Sequence, residues 1–247
     1  MQRFLLCGLA VIALCQPCFA GARHFGYLYE APTTPPGIFE LENYVTAKFG
    51  ERGFDEADFR HELEFGITDK FQAAIYVADW NYHRGLSAGE RGFTLSGSAL
   101  ELIYNLTNPV ADPIGLAVYQ EFQGGYRRFE SESKLLAQKN LGRFVVAYNA
   151  TLEAEWEGER LEERNGEFQQ SLGLSYEVSP RLLFGAEFVH EVAFPDWSNT
   201  ERGKFFAGPN ISIRKGTWWA TLTALGQVTR AGDEPDFQLR TIFGFSF

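Results

Sequence analysis

Carboxylates recur in this chain two residues apart. Glu40 with Glu42, Glu62 with Glu64 and Glu153 with Glu155 form such pairs, joined by Glu101, Glu121 and Glu187 and by the basic Lys48, Arg60, Arg214 and Arg240. An i, i+2 spacing places both side chains on one face in an extended strand, not in a helix. An acidic face of that kind suits cation attraction in a low-dielectric passage, or internal ion-pair networks that fill a narrow interior.

Catalytic chemistry needs more specific sets. Acyl hydrolysis needs a His and a Ser close together, with a polar group orienting the His. The four histidines are His24, His61, His83 and His190, and none has a Ser two residues along its strand. His190 is the best candidate because Glu191 adjoins it, but adjacent strand residues point to opposite faces. Asp58 and His61, a possible acidic protease pair, also have opposite parity. Asp69, Asp112, Asp196 and the "GDEPD" of 232–236 lack the ligand spacing of a calcium loop and read as solvated carboxylates. The expectation is therefore no catalytic residue, no metal, no cofactor and no enzyme.

The elements that must carry the acidic face are strands. Phe39, Leu41, Asn43, Val45, Ala47 and Phe49 alternate with Glu40, Glu42, Tyr44, Thr46 and Lys48, and similar two-residue periods recur to the closing "RTIFGFSF". Twelve strands result. The weakest is "FESESKLLAQ" (129–138), for which a helix is a fair alternative. Tight joints at 68–70, 139–143, 179–181 and 214–216, with a longer one at 107–113, alternate with longer polar links near 50–57, 82–93, 123–128, 157–167, 190–203 and 229–236. Short turns on one side and long loops on the other, with an even strand count, describe a transmembrane β-barrel with both termini on the short-turn side.

Composition agrees. Arg3 and the apolar run Phe4–Leu14, followed by Ala20 and Ala22, predict a secretory signal peptide over 1–22. All three cysteines fall inside it, so no disulfide or cysteine ligand is expected beyond it. No later stretch is apolar enough for a membrane helix. Of the 22 Lys and Arg only Arg3 precedes residue 23, which leaves 21 basic against 32 acidic side chains and argues against a nucleic-acid partner. Rings sit on the apolar parity at both ends of the strands, among them Phe39, Phe71, Phe144 and Trp218 at the short-turn end and Phe59, Trp156, Phe205 and Phe237 at the other. This is the pattern of two interfacial girdles.

Several stretches together carry a resemblance: "HFGYLYEAPTTPPGIFELENYV", "LTNPVADPIGLAVYQEF", "KLLAQKNLGRF", "LSYEVSPRLLFGAE", "FFAGPNISI", "WWATLTAL" and "FGFSF". Over nearly the whole chain after residue 22, the protein resembles a family of Gram-negative outer-membrane β-barrel proteins, more distantly similar to channels associated with phenol degradation. The resemblance implies location and fold; no activity or functional residue comes with it.

The sequence thus predicts an all-β chain, a single antiparallel barrel in the bacterial outer membrane. Its expected parts are a signal peptide at 1–22, a periplasmic segment at 23–37 and the barrel at 38–247. The Pro-rich "YLYEAPTTPPG" reads either as an extended lead or as a piece tucked into the pore mouth. The thirteen charged residues named first are expected to line the lumen. The expected function is a porin-like channel passing small cationic or neutral solutes, ahead of a closed structural or partner-binding barrel and of a lipid-modifying enzyme. Expected partners are outer-membrane lipid and lipopolysaccharide, the insertion machinery that reads the last strand, and a solute of unknown identity.

Overall fold

The computed structural model describes residues 23–50, 53–84, 91–232 and 234–247; the expected signal peptide lies outside them. Twelve strands occur among the described residues: β1 (Phe39–Gly50), β2 (Gly53–Thr68), β3 (Phe71–Arg84), β4 (Arg91–Thr107), β5 (Gly115–Gly125), β6 (Arg128–Leu141), β7 (Phe144–Glu157), β8 (Glu163–Ser179), β9 (Leu182–Pro195), β10 (Lys204–Lys215), β11 (Trp218–Gln227) and β12 (Phe237–Ser246). Each pairs antiparallel with its sequence neighbours, and β12 returns to β1 to close the barrel. The closure runs to the last residue. Phe39 donates its N–H to the Phe247 carbonyl (3.1 Å), and Phe247 donates its own to Phe39 (2.8 Å).

The side-chain period places the apolar set outside. Leu41, Val118, Leu152, Leu172 and Phe243 are exposed, while Glu40, Glu42, Glu62, Glu101 and Glu187 are buried on the opposite faces. Such an inversion is unfavourable in water and expected where the exterior meets acyl chains. Outward rings meet across strands at both rims: Phe144 with Tyr176 (4.8 Å between centroids) near the short turns, and Phe59 stacked on Trp80 (3.9 Å) near the other end.

The stretch 129–138 is strand throughout, paired residue for residue with both β5 and β7. Its Ser131 and Ser133 lie on the outer face, where they exchange hydrogen bonds with the Gln120 amide (3.0 and 2.6 Å). A polar pair thereby satisfies itself on a face otherwise apolar. The links expected near 50–57 and 123–128 are much shorter than predicted, because β1 and β2 run to Gly50 and from Gly53, and only Tyr126 and Arg127 separate β5 from β6. Polarity there marks hairpins that continue pairing beyond the lipid band. At the opposite end, Gly142 (φ 63°) and Gly216 (φ 64°) take the left-handed conformation that two-residue turns require.

Candidate functional site: the lumen and the segment inside it

Residues 23–36 do not form the expected periplasmic segment. They run along the inner wall from β10 to β2 and hydrogen-bond to inward-pointing side chains on the way. The Arg23 carbonyl accepts from Ser212 (2.7 Å) and Thr221 (2.9 Å), and the His24 carbonyl from Asn210 (3.0 Å). The Glu187 carboxylate takes the N–H groups of Gly26 (2.8 Å) and Tyr27 (2.7 Å). The Asn149 amide both accepts from the Tyr29 N–H (2.7 Å) and donates to its carbonyl (2.9 Å). Gln138 and Asn105 do the same for Ala31, and Gln72 accepts from Thr34 (2.7 Å). Eight wall side chains thus satisfy an extended backbone that pairs with no strand until Pro36 bridges Gly66.

Every third residue of the segment is buried: Phe25, Leu28, Ala31 and Thr34. Three prolines and their restricted predecessors favour an extended path with that threefold repeat. Phe25 packs with Leu28, Val145 and Ala147, above Gly173, where an added Cβ would run into the Phe25 ring. Ala31 joins Ile103, Ala117, Tyr119 and Leu136. The wall therefore has apolar sockets spaced between the polar groups that hold the backbone.

Two side chains of the segment cross the lumen. The Arg23 guanidinium lies over the Tyr29 ring (4.3 Å) and reaches Glu42 on β1 (3.0 Å). The Tyr29 hydroxyl meets that of Tyr76 (3.0 Å), and its ring leans on Tyr119 (4.8 Å). Arg23 and Tyr29 line both a cavity of about 410 Å³ on the loop side and one of about 400 Å³ on the turn side. They form the layer between the two.

The sequence-predicted lumen residues all point inward, but into different surroundings. Glu40, Glu42, Glu62, Glu64, Glu101, Glu121 and Glu187 are buried in the wall and beneath the segment. Lys48, Arg60, Glu153 and Arg240 line the loop-side cavity, and Arg214 the turn-side one. Glu155 pairs with Arg128 at the loop-side rim. Arg60 bridges Asp79 (2.9 Å) and Glu121 (2.6 Å), Lys48 pairs with Asp58 (2.8 Å), and Arg240 covers the Tyr27 ring (3.9 Å). The loop-side cavity has eight carboxylates and six basic side chains among its lining residues. The acid excess of the interior is thus concentrated in the buried wall, while the open space is nearly balanced.

His190 sits on the outer face against Phe205 (6.2 Å between rings), and Glu191 lines the inner cavity, so the two do not meet. The sequence reading did not single out Arg23, Tyr29 or the amide set Gln72, Asn105, Gln138, Asn149 and Asn210. A signal existed: five amides on the inward parity of five strands, each offering a donor and an acceptor to a passing backbone.

A closed twelve-stranded antiparallel barrel, apolar outside and polar within, girdled by rings and ending on its own closing strand, defines a β-barrel protein of the bacterial outer membrane. Residues 17–241 match the model of the family described as "Family of unknown function (DUF6662)", and the chain belongs to that family. No curated protein matches it in sequence. Among solved structures it is similar to the COG4313 outer membrane channel from Pseudomonas putida F1, with 14% identity, coverage of 89% of this chain and 99% of that one, and a TM-score of 0.58. It is also similar to the KdgM porin (9% identity, 84% and 99% coverage, TM-score 0.55) and the NanC porin (10%, 84% and 98%, 0.54). At such identities the likeness concerns the fold.

Proposed function

We propose that the protein is a gated channel, passing small cationic or neutral solutes by diffusion once the layer made by Arg23 and Tyr29 moves aside. The observation that carries this reading is the way residues 23–34 are held. Two cavities of about 410 and 400 Å³ lie on either side of a segment fastened by side chains and not built into the sheet. Such a segment can leave without breaking the barrel's ladder. The channels and porins among the structural neighbours support the reading. Cation preference is modest in this account, since the loop-side cavity carries only two more carboxylates than basic groups.

The closed structural barrel is the second reading, favoured by the continuous Arg23–Glu42 and Tyr29–Tyr76 contacts across the lumen. Planar-bilayer recording separates the two. Wild type is expected to show small or intermittent cation-preferring steps, and a variant lacking residues 23–34 large, stable ones. Silence of both over many confirmed insertions would establish the closed barrel instead.

A further inference from the structure

Register brings three carboxylates together beneath the N-terminal segment. Glu62 and Glu64 point inward from β2, and Glu64 lies opposite Ala74 on β3, which in turn lies opposite Glu101 on β4. Ala74 is fully buried and offers only a methyl group, so the glutamates on either side lean over it toward one another. One oxygen from each of Glu62, Glu64 and Glu101 lies within 4.8 Å of the others. Donors are scarce here. Tyr44 donates to Glu62 Oε2 (2.9 Å), Tyr76 to Glu101 Oε2 (2.6 Å) and Thr34 to Glu64 Oε1. Arg23 reaches Glu62 Oε2 (3.8 Å) while its closer contact is to Glu42.

A second observation is independent of the clustering. The other oxygens, Glu62 Oε1 and Glu101 Oε1, are buried with no hydrogen-bond partner, and both residues are 0% exposed. A buried carboxylate oxygen left without a donor is costly, and such atoms mark the place of a missing partner. Lone pairs, three negative charges and no nitrogen or sulfur ligand call for a hard cation.

We infer that Glu62, Glu64 and Glu101 form a calcium site inside the barrel. Oxygens within 4.8 Å of one another can share one ion, and a site made wholly of buried protein carboxylates suits calcium, since magnesium keeps several of its waters and is seldom held by an all-protein cage. Glu64 also lines the turn-side cavity, which gives the ion a path from the periplasm. Thr34, hydrogen-bonded to Glu64, ties the segment to the site, so calcium and a docked segment stabilise each other. Calcium binding is independent of conduction, and a closed barrel would show it equally.

The test uses the full-length protein refolded in detergent, freed of metal with chelator and titrated with calcium alone, binding being read by calorimetry. Terbium luminescence excited through Tyr44 and Tyr76 reports on the same place. One calcium per chain is expected, with a dissociation constant in or below the millimolar range of extracellular calcium modules. Magnesium should bind at least about tenfold more weakly. Glu62→Gln and Glu101→Gln should each weaken calcium binding tenfold or more. Glu155→Gln, at a loop-side rim carboxylate paired with Arg128 and not in contact with the segment, should leave it unchanged. Heat-dependent gel mobility verifies that each variant is folded, and the wild-type titration decides the matter even if one is not. Absence of saturable binding by wild type up to about 10 mM, or wild-type binding by folded Glu62→Gln and Glu101→Gln, would overturn the site; equal affinity for magnesium would overturn its assignment to calcium.

Discussion

Single residues decide how firmly the segment is seated. Glu30 closes a small ring with His24, accepting from its N–H (2.8 Å) and contacting its Nδ1 (2.6 Å). Burial pushes the Glu30 carboxyl up, but His24, through its charge and its hydrogen bonds, outweighs burial and holds the carboxyl below the ordinary glutamate range. A depressed carboxylate stabilises the docked state fully above its unfolded value of about 4.3, and that contribution is lost as pH falls through the lower folded value. A nitroxide on Pro32→Cys should accordingly loosen in acid below about pH 4 and remain fixed at neutral pH. In a Glu30→Gln background this acid step should disappear. An unchanged step there would assign it to another group.

At the scale of elements, the segment and the wall were shaped for each other by volume as well as by hydrogen bonds. Gly173 on β8 leaves the space that the Phe25 ring fills. Gly173→Leu should expel that ring and free residues 23–31 while β8 keeps its pairing, since the new side chain points into the lumen. The same nitroxide, now mobile at neutral pH, with barrel mobility on gels unchanged, is the expected result. A still-fixed label would mean the polar contacts alone hold the segment. The strand β6 teaches a related point. Its composition alone left helix open, yet its neighbours on both sides supply a complete ladder.

For the whole molecule the decisive property is which surface meets lipid. Leu152 is half-exposed on the outer face near the middle of β7, and its neighbour Glu153 lines the inner cavity. Leu152→Arg should destabilise the barrel in lipid vesicles by about 2–4 kcal/mol, the cost of a charge near the bilayer midplane. Glu153→Arg should cost far less, because it stays in an aqueous, charged cavity. Urea unfolding from vesicles, read by Trp fluorescence, would show both; a larger loss at position 153 would turn the sheet inside out.

Alternation of apolar and charged residues carried the strand count into the sequence, because a period of two is a local property that each strand displays by itself, while the facing had to be read from the crowded carboxylates and the rings at both rims. The same period set the thirteen named charges on one parity of their strands. Loop lengths at 50–57 and 123–128 were misjudged because polar residues look alike in a loop and in a hairpin standing beyond the membrane. What lay beyond reach was everything set by pairing between strands or by packing inside the ring they close. Thr34 meets Glu64 across 30 residues, Tyr29 meets Asn149 across 120, and Glu64 reaches Glu101 only over the small side chain of Ala74. Those distances along the chain collapse through strand register and barrel curvature, and neither is written in any one stretch of residues.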